Sequence, residues 1–132
     1  MAKLDPFLLP RPERPTETRS FTEGEATLTL TLRPPDAADI ARASEASERL
    51  VQDYITGSED RAAGDFPEGV KVSKTLFMTC ALIGEMQCPE NPADAYTVLE
   101  LVLLSDRLPR AWKQLQAWVN DLTGAWRARA EG

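Results

Sequence analysis

Between Glu25 and Arg33 the side chains alternate without a break. Leu28, Leu30 and Leu32 fall on one face of an extended chain, and Thr27, Thr29 and Thr31 on the other. This is the pattern of a half-buried strand, and a strand must pair. The chain offers few partners. Glu23-Gly24-Glu25 can turn, which makes residues 20–22 the candidate returning strand of a short hairpin, and Val70-Lys71-Val72 is the only other plausible partner. Either the sheet is very small or its edge pairs with another molecule. On the second branch Leu28, Leu30 and Leu32 are candidate partner-binding residues.

The segment before the strand holds Pro6, Pro10, Pro12 and Pro15 among charges. Proline removes a backbone donor and fixes φ, so residues 1–18 read as an extended arm and residues 19–132 as one helical domain with an N-terminal β element. The apolar run Phe7-Leu8-Leu9 points to docking of the arm on a partner; the alternative is a tail without a role.

After Pro34-Pro35 the periodicity changes to helical. Asp36 reads as an N-cap with Asp39 three positions on, and Ile40, Ala43, Ser47, Leu50, Val51 and Tyr54 share one face of a helix of about twenty residues ended by Gly57. Residues 57–69 read as a loop. A second helix over about 73–87 is apolar all round, which places it at the centre of the core. Gly84 inside it costs roughly 1 kcal/mol relative to Ala, consistent with a close helix approach. Asn91-Pro92 opens a third helix over about 92–105, its main face formed by Ala95, Val98, Leu99 and Val102. Ser105 or Asp106 caps a fourth, striped by Leu108, Trp112, Leu115, Val119, Leu122 and Trp126. Trp118 lies about 80° from the centre of that stripe at 100° per residue. It is a candidate binding anchor, the alternative being a Trp on the margin of the core. The expected class is mainly α (α+β), with about four helices.

Composition narrows the function. The chain has 132 residues, no histidine and a net charge of −6. That charge resides in residues 36–68, where nine acids meet three bases, whereas residues 106–132 are slightly basic. Acidity on this scale repels phosphate backbones, so nucleic acid is not an expected partner. No apolar run approaches the roughly 18 residues of a membrane span, and no signal-peptide pattern opens the chain. Were Cys80 and Cys88 on one helix, about 12 Å would separate them at 1.5 Å per residue, too far for a disulfide. Free thiols and a cytoplasmic location are therefore expected. Without histidine the usual general base and the commonest zinc ligand are missing, and neither a phosphate-cradling glycine loop nor a calcium-loop pattern is present. No catalytic, cofactor-binding or metal-ligating residue is assigned, and binding of other protein chains is the expected activity.

An alternating strand ending in Arg33-Pro34-Pro35 leads into an acidic helix and then an apolar one. Tyr96-Thr97-Val98-Leu99-Glu100-Leu101-Val102-Leu103-Leu104-Ser105 follows, with Leu108-Pro109-Arg110-Ala111-Trp112 as the entry to the last helix. Over about residues 20–125 this arrangement resembles the tail assembly chaperones of long-tailed bacteriophages. The resemblance implies a non-enzymatic, self-associating protein that coats the long helical tape-measure protein until tail-tube subunits replace it, in the host cytoplasm. The residues leave two further readings open. One is a permanent structural or adaptor subunit of a virion-like particle, laced to its neighbours by the arm and strand. The other is a small inhibitor whose acidic surface mimics nucleic acid.

Overall fold

The computed structural model describes Lys3, Asp5 and residues 15–54 and 64–131. The alternating segment is strand β2 (Ala26–Leu32), and it pairs antiparallel with β1 (Glu17–Glu23) from Glu17↔Leu32 to Glu23↔Ala26. The returning strand is thus longer than residues 20–22 and begins two residues inside the span read as an arm. Gly24, at φ +61°, and Glu25 make the two-residue turn, the first position being the one where glycine meets the positive φ of a type II′ hairpin. Among the described residues the sheet is as small as the sequence allowed: β1 and β2 alone.

Leu28, Leu30 and Leu32 do not face a partner molecule. They are 2%, 3% and 0% exposed, packed with Phe21 into the chain's own core. The opposite face is hydroxyl only, and its cross-strand neighbours bond in three rows: Thr18 with Thr31 at 2.7 Å, Ser20 with Thr29 at 2.8 Å and Thr22 with Thr27 at 3.4 Å. Lys71–Val72 (β4) does not join the hairpin. It pairs instead with Gly64–Asp65 (β3), because Phe66 to Val70 folds into a tight turn with Gly69 at φ +78°. This turn drops Phe66 and Val72 into the core, where Tyr54 lies 5.5 Å from the Phe66 ring and 6.0 Å from Phe77.

Helix α1 (Ala37–Tyr54) starts where the prolines stop the strand. The Asp39 N–H donates to Asp36 Oδ1 at 2.8 Å, and the Asp36 N–H donates to Asp39 Oδ2 at 3.1 Å. This is the reciprocal geometry of a capping box, built from two aspartates. Asp39 is also fully buried. A buried carboxylate needs partners, and it finds Arg42 Nη2 at 2.6 Å and Arg33 Nη2 at 3.8 Å. Arg42 then reaches Glu85 on helix α2 (Lys74–Met86) at 2.9 Å. One acid so joins the end of β2, the start of α1 and the side of α2.

Helix α2 (Lys74–Met86) carries Ser73 as its N-cap, the hydroxyl accepting from Leu76 N–H. It packs against α1 on one side and α3 on another, as its all-round apolarity requires. Beyond it the chain bonds back to the hairpin: Arg33 N–H donates to Met86 O and Cys88 N–H to Thr31 O. Cys80 and Cys88 form no disulfide with each other. Burial pushes the Cys80 thiol up to about 12, so it stays neutral and inert at any ordinary pH.

The third helical stretch is broken. Asn91 does cap Pro92–Asp94, but only as a single 3-10 turn, and helix α3 (Val98–Arg107) starts afresh. The interruption has two causes. The Gln87 side chain clamps the Tyr96 backbone, donating to its carbonyl at 2.8 Å and accepting from its N–H at 2.9 Å. Thr97 and Glu100 then form a second capping box. The register consequently turns Leu101 and Val102 inward and leaves Leu99, read as part of the main face, 40% exposed. Helix α3 continues through Ser105 and Asp106, which therefore do not cap helix α4 (Pro109–Glu131).

Two outcomes follow. Replacing Asp39 by Ala removes a cap and a charge-assisted bond at a buried site, and should lower stability by about 2–4 kcal/mol in denaturant melts with an unchanged m-value. At Gly84 an added Cβ would stand 3.7 Å from Val98 Cγ2, an ordinary contact. Close helix approach therefore does not require glycine there, and Gly84→Ala should raise stability by about 0.5–1 kcal/mol; a loss would show that α2 and α3 cannot yield even a methyl group.

Candidate functional surface

Of the residues singled out as partner-binding, Phe7, Leu8 and Leu9 lie outside the described residues. Leu28, Leu30 and Leu32 are internal, as above. Trp118 is internal too, 1% exposed. It stands off the narrow aliphatic stripe of α4 because it covers a different neighbour. Ala111, Trp112, Leu115, Trp118 and Val119 are all buried, so the stripe is broad, and its extra width receives β1.

The contact between α4 and β1 is specific. Odd-numbered residues of β1 point inward, and each has a role. Glu17 Oε2 accepts the Trp118 indole N–H at 3.1 Å. The Arg19 guanidinium lies 5.1 Å from the centroid of the Trp118 ring and bonds Glu17 at 2.9 Å. Phe21 packs against Trp118, centroids 5.9 Å apart. Glu23 Oε1 accepts from the N–H groups of Arg110 and Ala111 at 2.7 and 2.9 Å. It caps α4 from the tip of the hairpin, the place where a negative charge best meets a helix N-terminus. The sequence does carry a signal for this seam: charges alternate with hydroxyls in Glu17-Thr18-Arg19-Ser20-Phe21-Thr22-Glu23, so one face of the strand needs charge partners.

Three surfaces remain. The hydroxyl face of the hairpin borders a cleft of about 790 Å³, closed on its far side by Gln87 to Glu90, Ala93 to Tyr96 and Glu100. A second groove of about 340 Å³ runs between α2 and α4, with Met78, Leu82 and Val119 as its apolar part and Thr79, Gln116, Asn120 and Thr123 around them. The third is the outer side of α1, where Glu45, Glu48 and Asp53 are exposed. Among the described residues no three His, Cys, Asp or Glu side chains gather where they could hold a metal ion, and no helix is long and apolar enough to cross a membrane. No protein-family model, curated protein or solved structure matches the chain.

The Glu17 carboxyl is held below its ordinary value, first by the Arg19 hydrogen bond and then by the Trp118 N–H. The folded chain favours the charged form, so this link is fully present above the ordinary carboxylate range and is lost as pH falls below that range through the lowered folded-state value. Near-UV circular dichroism of the tryptophans should therefore report a loosening of α4 from β1 on acidification, and Glu17→Gln should remove that step. Identical titrations of wild type and variant would show that Glu17 does not hold Trp118.

Proposed function

We propose that this chain is a non-catalytic assembly chaperone that binds a long amphipathic helix of another protein, as the tail assembly chaperones of long-tailed bacteriophages do with the tape-measure protein. The observation that carries this reading is the groove between α2 and α4. Its apolar residues are Met78, Leu82 and Val119, and its rim is uncharged and polar. A helix presents anchors at i, i+3, i+4 and i+7, and a trough between two helices receives such a ridge. Methionine adds an adaptable surface suited to a partner whose sequence varies along its length. The acids exposed on α1 would keep such a coat soluble and apart from nucleic acid. Under this reading several copies act together on one partner, in the cytoplasm of the infected cell, and leave it when the tube is built.

The test is binding of a synthetic amphipathic helix, followed by calorimetry, to the wild-type chain and to Met78→Glu. Placing a charge in the groove should weaken binding by at least about tenfold while circular dichroism is unchanged. No binding by the wild-type chain, or equal binding by the variant, counts against the groove. Retention of the chain in finished particles would make it a permanent subunit instead.

A further inference from the structure

The two-residue turn that closes on Glu23 and Ala26 fixes which backbone groups face inward along β1. Odd-numbered residues exchange bonds with β2, and Thr18, Ser20 and Thr22 direct their N–H and C=O groups outward. The corresponding edge of β2 is partly closed, since Thr31 O accepts from Cys88 and Arg33 N–H donates to Met86. The edge of β1 is not: the hairpin holds β1 and β2 alone, and no backbone partner meets Thr18, Ser20 or Thr22 on that side among the described residues. No proline or bulge interrupts it, and the charges of its inner face, Glu17, Arg19 and Glu23, are already engaged within the chain.

The occupant is indicated by the strand itself. Read in either direction, Glu17-Thr18-Arg19-Ser20-Phe21-Thr22-Glu23 has Glu at both ends, Thr next to each end and Ser at its centre. A strand that pairs antiparallel with its own copy needs this kind of symmetry. We infer that β1 pairs antiparallel with β1 of a second copy of this chain about a two-fold axis at Ser20, joining two hairpins into one four-stranded sheet of order β2-β1-β1-β2. This deepens the proposed function by naming the self-association surface; the geometry holds whatever else the chain binds.

In this register every outward group finds its complement. Thr18 stands opposite Thr22 of the second copy, Ser20 opposite Ser20, and Thr22 opposite Thr18, so each outward N–H meets an outward C=O. The hydroxyl rows continue across the seam, hydroxyl against hydroxyl, as they do within the hairpin at 2.7 to 3.4 Å. Glu17 comes opposite Glu23, but neither carboxylate is uncompensated: Glu17 is bonded to Arg19 and Trp118, and Glu23 to two backbone N–H groups of α4. Arg19 comes opposite Phe21. Neighbouring registers are worse. A slip of one residue sets outward groups against inward ones. A slip of two sets Arg19 against Arg19 in one direction, and in the other sets Thr18 against Gly24, which belongs to the turn. Strand addition alone covers less than the roughly 1,200 Å² typical of stable complexes, so the dimer forms in a concentration-dependent way.

Sedimentation of the chain alone, without a helical partner, tests this. The weight-average mass should rise toward twice that of the chain as concentration increases. Ser20→Pro removes one outward N–H and leaves the ladder to β2 intact, and should remain monomeric over the same range. Where that variant fails to fold, Ser20→Cys in a Cys88→Ser background gives an independent reading. Hydrogen-bonded antiparallel pairs have Cα atoms about 5.5 Å apart, within disulfide reach, so mild oxidation should yield a covalent dimer. Thr29→Cys, one strand away from the seam, should yield none, and Cys80 is fully buried and cannot interfere. A wild-type chain monomeric throughout, a folded Ser20→Pro dimer, or equal crosslinking at positions 20 and 29 overturns the inference. None of these outcomes bears on binding in the groove between α2 and α4, which Met78→Glu reports separately.

Discussion

A two-stranded ribbon is marginal in water by itself. The β1-β2 ribbon carries four large apolar side chains on a single face, and the architecture follows from the need to cover them. Helix α4 does much of the covering, and Trp118 is the contact on which it turns. The indole closes over Phe21, gives its N–H to Glu17 and receives the Arg19 guanidinium on its ring. Without that cover Phe21 would lose its aromatic neighbour, and Glu17 and Arg19 the indole they hold. α2, wrapped by α1 and α3, buries its own apolar residues in the same cluster as the hairpin's.

Carboxylates organise the rest. Asp36 and Asp39 cap α1, Glu100 helps cap α3, Glu23 caps α4, and Glu17 holds the Trp118 indole. An acidic chain of this kind is easily taken as merely well solvated. Two groups of acids stand out here. Those on the outer side of α1 face solvent, whereas those at helix starts satisfy N–H groups that would otherwise lack acceptors.

The parts legible in the sequence were those with a local cause. Alternation revealed β2, Gly24 revealed its turn, all-round apolarity placed α2 at the centre, and Asp36 with Asp39 marked the start of α1. What was not legible depends on residues far apart in the chain. Trp118 looked like a free anchor because its partner is 101 positions away at Glu17. The start of α4 looked as if Ser105 or Asp106 must cap it, because Glu23 is not a neighbour in sequence. The third helix read as continuous from Pro92 because the Gln87 clamp on Tyr96 comes from the preceding helix. Leu28, Leu30 and Leu32 were read as docking residues for the same reason. A buried apolar residue and a docking residue carry the same side chain, and only the tertiary partner tells them apart.

The cap that Glu23 places on α4 has a consequence for how the chain is made. It joins residue 23 to residues 110 and 111, so most of the polypeptide must be synthesised before it can form. Until then the hairpin leaves the ribosome without Trp118 over Phe21 and with the outer edge of β1 open, a combination prone to errant pairing. Loop closure over so many residues also makes this contact a late one. The interval between translation of the turn and translation of the last helix is therefore when this protein is most exposed to misassociation. A truncation that spares the hairpin but removes α4 would make that interval permanent.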